Sequence, residues 1–152
     1  MRLVNGQVAE FLSLNDRAIQ FGDGVFRTIR LSQGRLVFWG RHYRKLAADC
    51  AALGIEAPSE RALLDEARSL IVQTGMQDAT VKLIVSRGES QRGYAAPAEC
   101  RPTRIVQISP LPGYPQRYYR VGARVRLCAT RASWQPALAG VKHLNRLENV
   151  LA

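Results

Sequence analysis

From Val25 to Leu31 the sequence alternates with a period of two, the pattern of a strand that buries one face. Thr80–Ser86 and Arg104–Ile108 read as two more strands. Between the first strand and these lie two stretches of different periodicity. Tyr43, Leu46, Ala47, Cys50 and Leu53 recur at intervals of three and four, as do Leu63, Ala67, Leu70 and Ile71. Such spacing marks one face of a helix, and burial against a core is its ordinary use. Strands, two helices and further strands, in that order, predict an α+β fold with a mainly antiparallel sheet.

Turn chemistry sets the boundaries. Asn5-Gly6 between Leu3-Val4 and Val8-Ala9 predicts a hairpin with a type I′ turn. Ser32-Gln33-Gly34 returns the chain into a strand over Arg35–Phe38. A helix over about Arg41–Leu53 ends before Gly54, and Ser59 is placed to cap a second helix that Gly75 ends. Phe21-Gly22-Asp23-Gly24 implies a tight backbone feature, with Asp23 shaping the turn through its own backbone contacts. Pro110, Pro112, Gly113 and Pro115 suggest a linker. The expected division is a small α+β domain over 1–110, a linker over 111–120, and the beginning of a second domain over 121–152. That last part should hold a strand over Val121–Ala129, a loop over 133–140 and a helix from Leu144. It is too short for a core of its own.

No run of apolar residues is long enough to span a membrane, and the N-terminus lacks the apolar stretch of a signal peptide. Cys50, Cys100 and Cys128 are widely spaced and show no metal-ligand pattern, as expected for reduced thiols in a cytoplasmic protein. The net charge of +10 admits nucleic acid or an anionic small molecule as partner. The arginines are scattered and no nucleic-acid-binding motif is present, which favours the small molecule. A basic, non-catalytic binding module is the alternative from another class.

Of the 22 basic residues only Lys45, Lys82 and Lys142 are lysines. Arginine stays protonated, whereas a desolvated lysine serves as a neutral amine. Lys142 follows Gly140-Val141 and precedes a helix-like run, so it reads either as a surface lysine or as an amine that forms a Schiff base.

Three segments carry a resemblance. Asp16-Arg17-Ala18-Ile19-Gln20-Phe21-Gly22-Asp23-Gly24-Val25-Phe26-Arg27-Thr28 resembles the N-terminal signature of the fold-type IV pyridoxal-phosphate enzymes. That group includes branched-chain aminotransferases, D-amino acid aminotransferases and aminodeoxychorismate lyases. Ser86-Arg87-Gly88 through Arg92-Gly93-Tyr94 resembles the group's substrate loop. Gly140-Val141-Lys142-His143-Leu144-Asn145-Arg146-Leu147-Glu148 resembles its cofactor-lysine segment. The segments occur in the expected order, and the Asn145-Arg146-Leu147-Glu148 run is closer to the lyases than to the aminotransferases.

The resemblance implies pyridoxal 5′-phosphate as cofactor, with Lys142 as the amine that holds it and the base that moves the substrate proton. It implies a small anionic substrate derived from chorismate, with 4-amino-4-deoxychorismate converted to 4-aminobenzoate and pyruvate on the way to folate. An aminotransferase acting on branched-chain or D-amino acids is the alternative. A homodimer is implied, with no membrane and no nucleic acid as partner. Arg92 suits a substrate carboxylate and Tyr94 an added hydroxyl donor, although both also suit a solvated loop. Phe26 fits a substrate pocket and an ordinary core equally well. His143 is not assigned a catalytic role, and Glu148 reads as a surface or interface helix charge.

Two departures stand out. Where the family has a phosphate-binding arginine on the first helix, His42-Tyr43-Arg44-Lys45-Leu46 has Lys45, a point charge without bidentate geometry, with Arg41 one turn earlier to assist. The family also continues well past the lysine. The chain is therefore expected to be an incomplete piece that binds cofactor weakly and turns over poorly.

Overall fold

The computed structural model describes residues 1–152. Strands β1 (Arg2–Val4) and β2 (Gln7–Val8) form the expected hairpin, in which Asn5 and Gly6 take φ values of 50° and 84°. A one-turn helix α1 (Arg17–Phe21) precedes β3 (Gly24–Ser32), which turns into the short β4 (Arg35–Leu36). Helices α2 (Trp39–Ala52) and α3 (Glu60–Thr74) follow, and then β5 (Ala79–Ser86) and β6 (Thr103–Ser109). One-turn helices α4 (Arg117–Val121) and α5 (Leu147–Leu151) lie in the last third of the chain. None of the helices is long and apolar enough to cross a membrane.

The six strands form one sheet in the order β2-β1-β6-β5-β3-β4, and every neighbouring pair is antiparallel. The N-terminal hairpin joins the sheet through β1 against β6, with Leu3 opposite Val106. Helix α2 packs on β3, and α3 packs on β6 and β1. The core lies between these helices and one face of the sheet. Val25, Ile29, Leu31, Val81, Leu83, Val85 and Val106 come from the strands, and Leu46, Cys50, Leu63, Ala67 and Leu70 from the helices. Each fully buried aliphatic side chain contributes about 1.5–3 kcal/mol. Because side chains alternate across a strand, the residues between these core positions point to the opposite face. Phe26, Lys82 and Ile84 stand there.

Both helix caps follow the sequence. Ser59 Oγ accepts from the Ala62 N–H (3.2 Å), α3 ends at Gly75, and Gly54 follows α2. Three expectations are corrected. The helix expected from Leu144 begins at Leu147, because the Leu144 N–H is taken by the Gly24 carbonyl. The second strand of the β3–β4 hairpin stops at Leu36, because Phe38 adopts φ 54° and opens α2 two residues earlier than the periodicity suggested. Val121–Ala129 is not a strand. Its alternation is real, yet Leu127 is 100% exposed and residues 122–134 make no main-chain-to-main-chain hydrogen bond. A strand exists only with a neighbour to bond to, and no segment gives this one a main-chain ladder.

Candidate active site

Residues 142–144 run antiparallel to the start of β3. The Phe26 N–H donates to the Lys142 carbonyl (3.0 Å), the Leu144 N–H donates to the Gly24 carbonyl (2.9 Å), and Val25 bridges to His143. Residues opposite one another across such a pair share a face. Lys142 therefore stands with Phe26 on the sheet face away from the helices, while His143 turns to the other side with its Nδ1 buried and unpartnered. This register explains why His143 does not share the direction of Lys142.

The register needs Gly24. A Cβ there would lie 2.6 Å from the Val85 carbonyl oxygen and 2.8 Å from Leu144 Cδ1. The glycine pair of the signature thus lets the lysine segment approach the sheet.

Three cations gather around the Phe26 ring: Lys142 Nζ at 4.8 Å from its centroid, Lys82 Nζ at 5.1 Å and Arg146 Cζ at 5.4 Å. Burial holds the Lys142 amine below the usual lysine range, and the charges of Arg146, Arg27 and Lys82 act in the same direction against a smaller opposing pull from Asp49. His42 is also lowered, by burial and by the charges of Arg27 and Lys142. Phe26 is partly buried and serves as the floor of this cluster rather than as helix-side core.

Asp49 was not singled out in the sequence. Its carboxylate is 1% exposed and takes three partners. It pairs with Arg27 Nη2 and with Lys45 Nζ, and it accepts from the Lys142 backbone N–H at 3.3 Å. Lys45 Nζ also donates to the Gly140 carbonyl (2.8 Å). Asp49 lies three residues after Leu46 and four after Lys45, on the buried stripe of α2. A carboxylate on such a stripe must find cations, and that was the signal available. Lys45 is thus engaged with Asp49, while Arg41 lies over the Phe38 ring at 5.2 Å.

The loop after β5 is held from below. Arg17, 4% exposed, donates to Asp23 Oδ2 (2.8 Å), Ser90 Oγ (3.1 Å), and the carbonyls of Gly93 (3.2 Å), Tyr94 (2.9 Å) and Ala95 (3.5 Å). Arg87 pairs with the same Asp23 (2.7 Å) and donates to the Leu53 and Gly54 carbonyls. Asp23 is structural, as expected: its N–H donates to the Arg17 carbonyl (3.2 Å), its carbonyl accepts from the Arg87 N–H (3.1 Å), and its carboxylate adds the two arginine side chains. Burial raises its pKa, and the hydrogen bonds and charges of Arg87 and Arg17 outweigh that and lower it. The Arg92 side chain makes no hydrogen bond or ion pair. The Tyr94 ring is 87% exposed and tilts against Phe21 at 5.4 Å. The structure thus joins Lys142 to Phe26, and Lys45 to the Lys142 segment, but leaves Arg92 and Tyr94 on an exposed loop. Glu148 is a surface charge bonded to Ser133, which lowers its pKa.

An antiparallel sheet backed by two helices, with a depressed lysine on its open face, is the arrangement of a known class. The chain belongs to the amino-transferase class IV family, whose model matches residues 24–152. It is 36% identical to the aminodeoxychorismate lyase of Vibrio harveyi over 98% of this chain and 54% of that protein. It is 29% identical to a D-alanine aminotransferase of Bacillus licheniformis over 98% of this chain and 53% of that one. The 4-amino-4-deoxychorismate lyase structure from Pseudomonas aeruginosa superposes with a TM-score of 0.91 at 44% identity, covering all of this chain and 55% of the other. A branched-chain aminotransferase of Escherichia coli shares the fold, with a TM-score of 0.88 at 18% identity over 99% of this chain and 53% of that one. The chain spans about half the length of the curated relatives it matches.

Proposed function

We propose that the Lys142 site serves a pyridoxal-phosphate-dependent lyase that converts 4-amino-4-deoxychorismate to 4-aminobenzoate and pyruvate. The observation that carries this reading is the Lys142 amine, turned toward its neutral form and fixed beside Phe26 on the open sheet face. The higher identity to lyases than to aminotransferases supports the choice of reaction.

The donor set fits the cofactor. A primary amine with a lowered pKa stands beside Lys82 and Arg146, which matches an aldehyde that carries phosphate. Pyridoxal phosphate, when bound, supplies a carbonyl for that amine and a ring that takes up negative charge from the adjoining carbon. Lys142 Nζ holds the cofactor and then accepts the proton from the substrate carbon that bears nitrogen. Lys45 and Arg41 are the cations of α2 offered to phosphate, with Lys45 shared with Asp49. Arg92 meets a substrate carboxylate and Tyr94 adds a hydroxyl donor, both from the loop that Arg17 anchors. Phe26 forms the apolar floor under the substrate. The proposal includes the division at 111–120, a homodimer and a cytoplasmic setting.

Borohydride trapping tests the site. The chain is incubated with pyridoxal phosphate, reduced, digested and mapped by mass. Labelling of Lys142 ahead of Lys45 and Lys82 is expected, and equal labelling of the three would overturn the site. A second reading is favoured by the D-alanine aminotransferase relatives, namely transfer of the amino group to a keto acid. Release of fluorescent 4-aminobenzoate without any keto acid separates the lyase from it.

A further inference from the structure

We propose that Asp49 is a positioning residue for Lys142, fixing the backbone of the lysine segment against α2 and setting a carboxylate at its amide. The proposal rests on the reading of Lys142 as the reactive amine. Its geometry is independent of any cofactor. One Asp49 oxygen accepts from the Lys142 N–H at 3.3 Å and pairs with Arg27. The other pairs with Lys45, whose ammonium also holds the Gly140 carbonyl at 2.8 Å. The segment is thus pinned twice to one helix, at Gly140 through Lys45 and at Lys142 directly. Its far side is pinned by the Phe26 N–H on the Lys142 carbonyl at 3.0 Å.

The surrounding charges give this carboxylate a second role. Arg27 from β3, Lys82 from β5 and Arg146 from the segment leading into α5 all act on the amine as cations, and Asp49 from α2 is the one anion among them. His42, also on α2, senses the Lys142 charge in turn. Burial and three cations alone would drive the amine further toward the neutral form. The Asp49 charge opposes that shift.

Only three lysines are present, so the full chain is suited to reductive methylation with ¹³C-formaldehyde and NMR titration, with Lys142→Arg used to assign the Lys142 signal. In Asp49→Asn the Lys142 midpoint is expected to fall below that of the unsubstituted chain, while Asp49→Glu, which keeps the charge, holds it near the original. An unchanged Lys142 midpoint in a folded Asp49→Asn protein overturns the proposal. Lys45→Met removes the Gly140 tether together with the Lys45–Asp49 pair, but the Lys45 side chain is half exposed and Asp49 keeps Arg27, so folding should survive. Faster amide exchange over residues 140–142 with unchanged exchange in α3 is expected there, and unchanged exchange over 140–142 also overturns the proposal. The borohydride experiment reads out separately. Failure of trapping with the midpoint shift intact would count against the cofactor reading and leave the positioning by Asp49 standing.

Discussion

Lys142 and Phe26 face each other across a two-residue main-chain pairing, with the amine 4.8 Å from the centroid of the ring. The amine is desolvated there and crowded by cations, so its folded pKa lies below its unfolded value near 10.5. A base lowered in this way opposes folding while protonated, and the opposition fades as pH rises from the folded value to the unfolded one. Lys142→Met is therefore expected to raise the unfolding free energy from urea titration at pH 7, by less than about 1 kcal/mol because solvent screens the amine. The gain should disappear above the unfolded value. A loss of stability at pH 7 would contradict this.

Gly24→Ala places a methyl group against the Val85 carbonyl and Leu144 Cδ1. Overpacking of this kind costs about 1–3 kcal/mol. Because Leu144 belongs to the lysine segment, amide protection at Phe26 and Leu144 should fall more than protection in α3. Hydrogen exchange measures both.

Arg17→Gln removes the side chain that holds Asp23, Ser90 and three loop carbonyls. Asp23 keeps Arg87, so the cost should be about 2–4 kcal/mol rather than that of a fully orphaned charge. Cleavage by trypsin after Arg92 should become several-fold faster at an enzyme level that leaves the sheet intact. An unchanged cleavage rate would mean that the loop is held by something else.

Asp23 has a folded pKa below its ordinary value of 3.8, because Arg87 and Arg17 outweigh its burial. Its contribution is fully present above the unfolded value and is lost as pH falls through the folded value. Between pH 5 and acid, Asp23→Asn should flatten the fall of the unfolding midpoint relative to the unsubstituted chain. Parallel curves would show that Asp23 is not a source of the acid sensitivity.

Burial first, and the Asp49 charge second, push the Cys50 thiol up to about 11, while Cys128 is exposed. At pH 8 iodoacetamide should modify Cys128 rapidly and leave Cys50 intact until urea unfolds the chain. Mass mapping over time distinguishes the two, and early labelling of Cys50 would contradict the packing of α2.

The main strands, both long helices and the caps at Ser59 and Gly75 were legible because each is set by short-range chemistry. The alternation of β3 and β5, the Ser59 cap and the Asn5-Gly6 turn act within a few residues. The candidate site was legible because lysine is rare here and Lys142 lies within a recognisable run. Val121–Ala129 misled, since alternation states only that a strand is possible, and a ladder needs a partner from elsewhere in the chain.

The sequence by itself determined most of the elements and the family, and singled out Lys142. Tertiary structure alone decided which charges meet. Asp49 lies 93 residues from the Lys142 amide it holds, and Arg17 lies 77 from the Tyr94 carbonyl. The physical reason is that a buried charge is settled by whatever partner the fold brings within hydrogen-bond distance, and no local pattern around either residue encodes a partner so far along the chain.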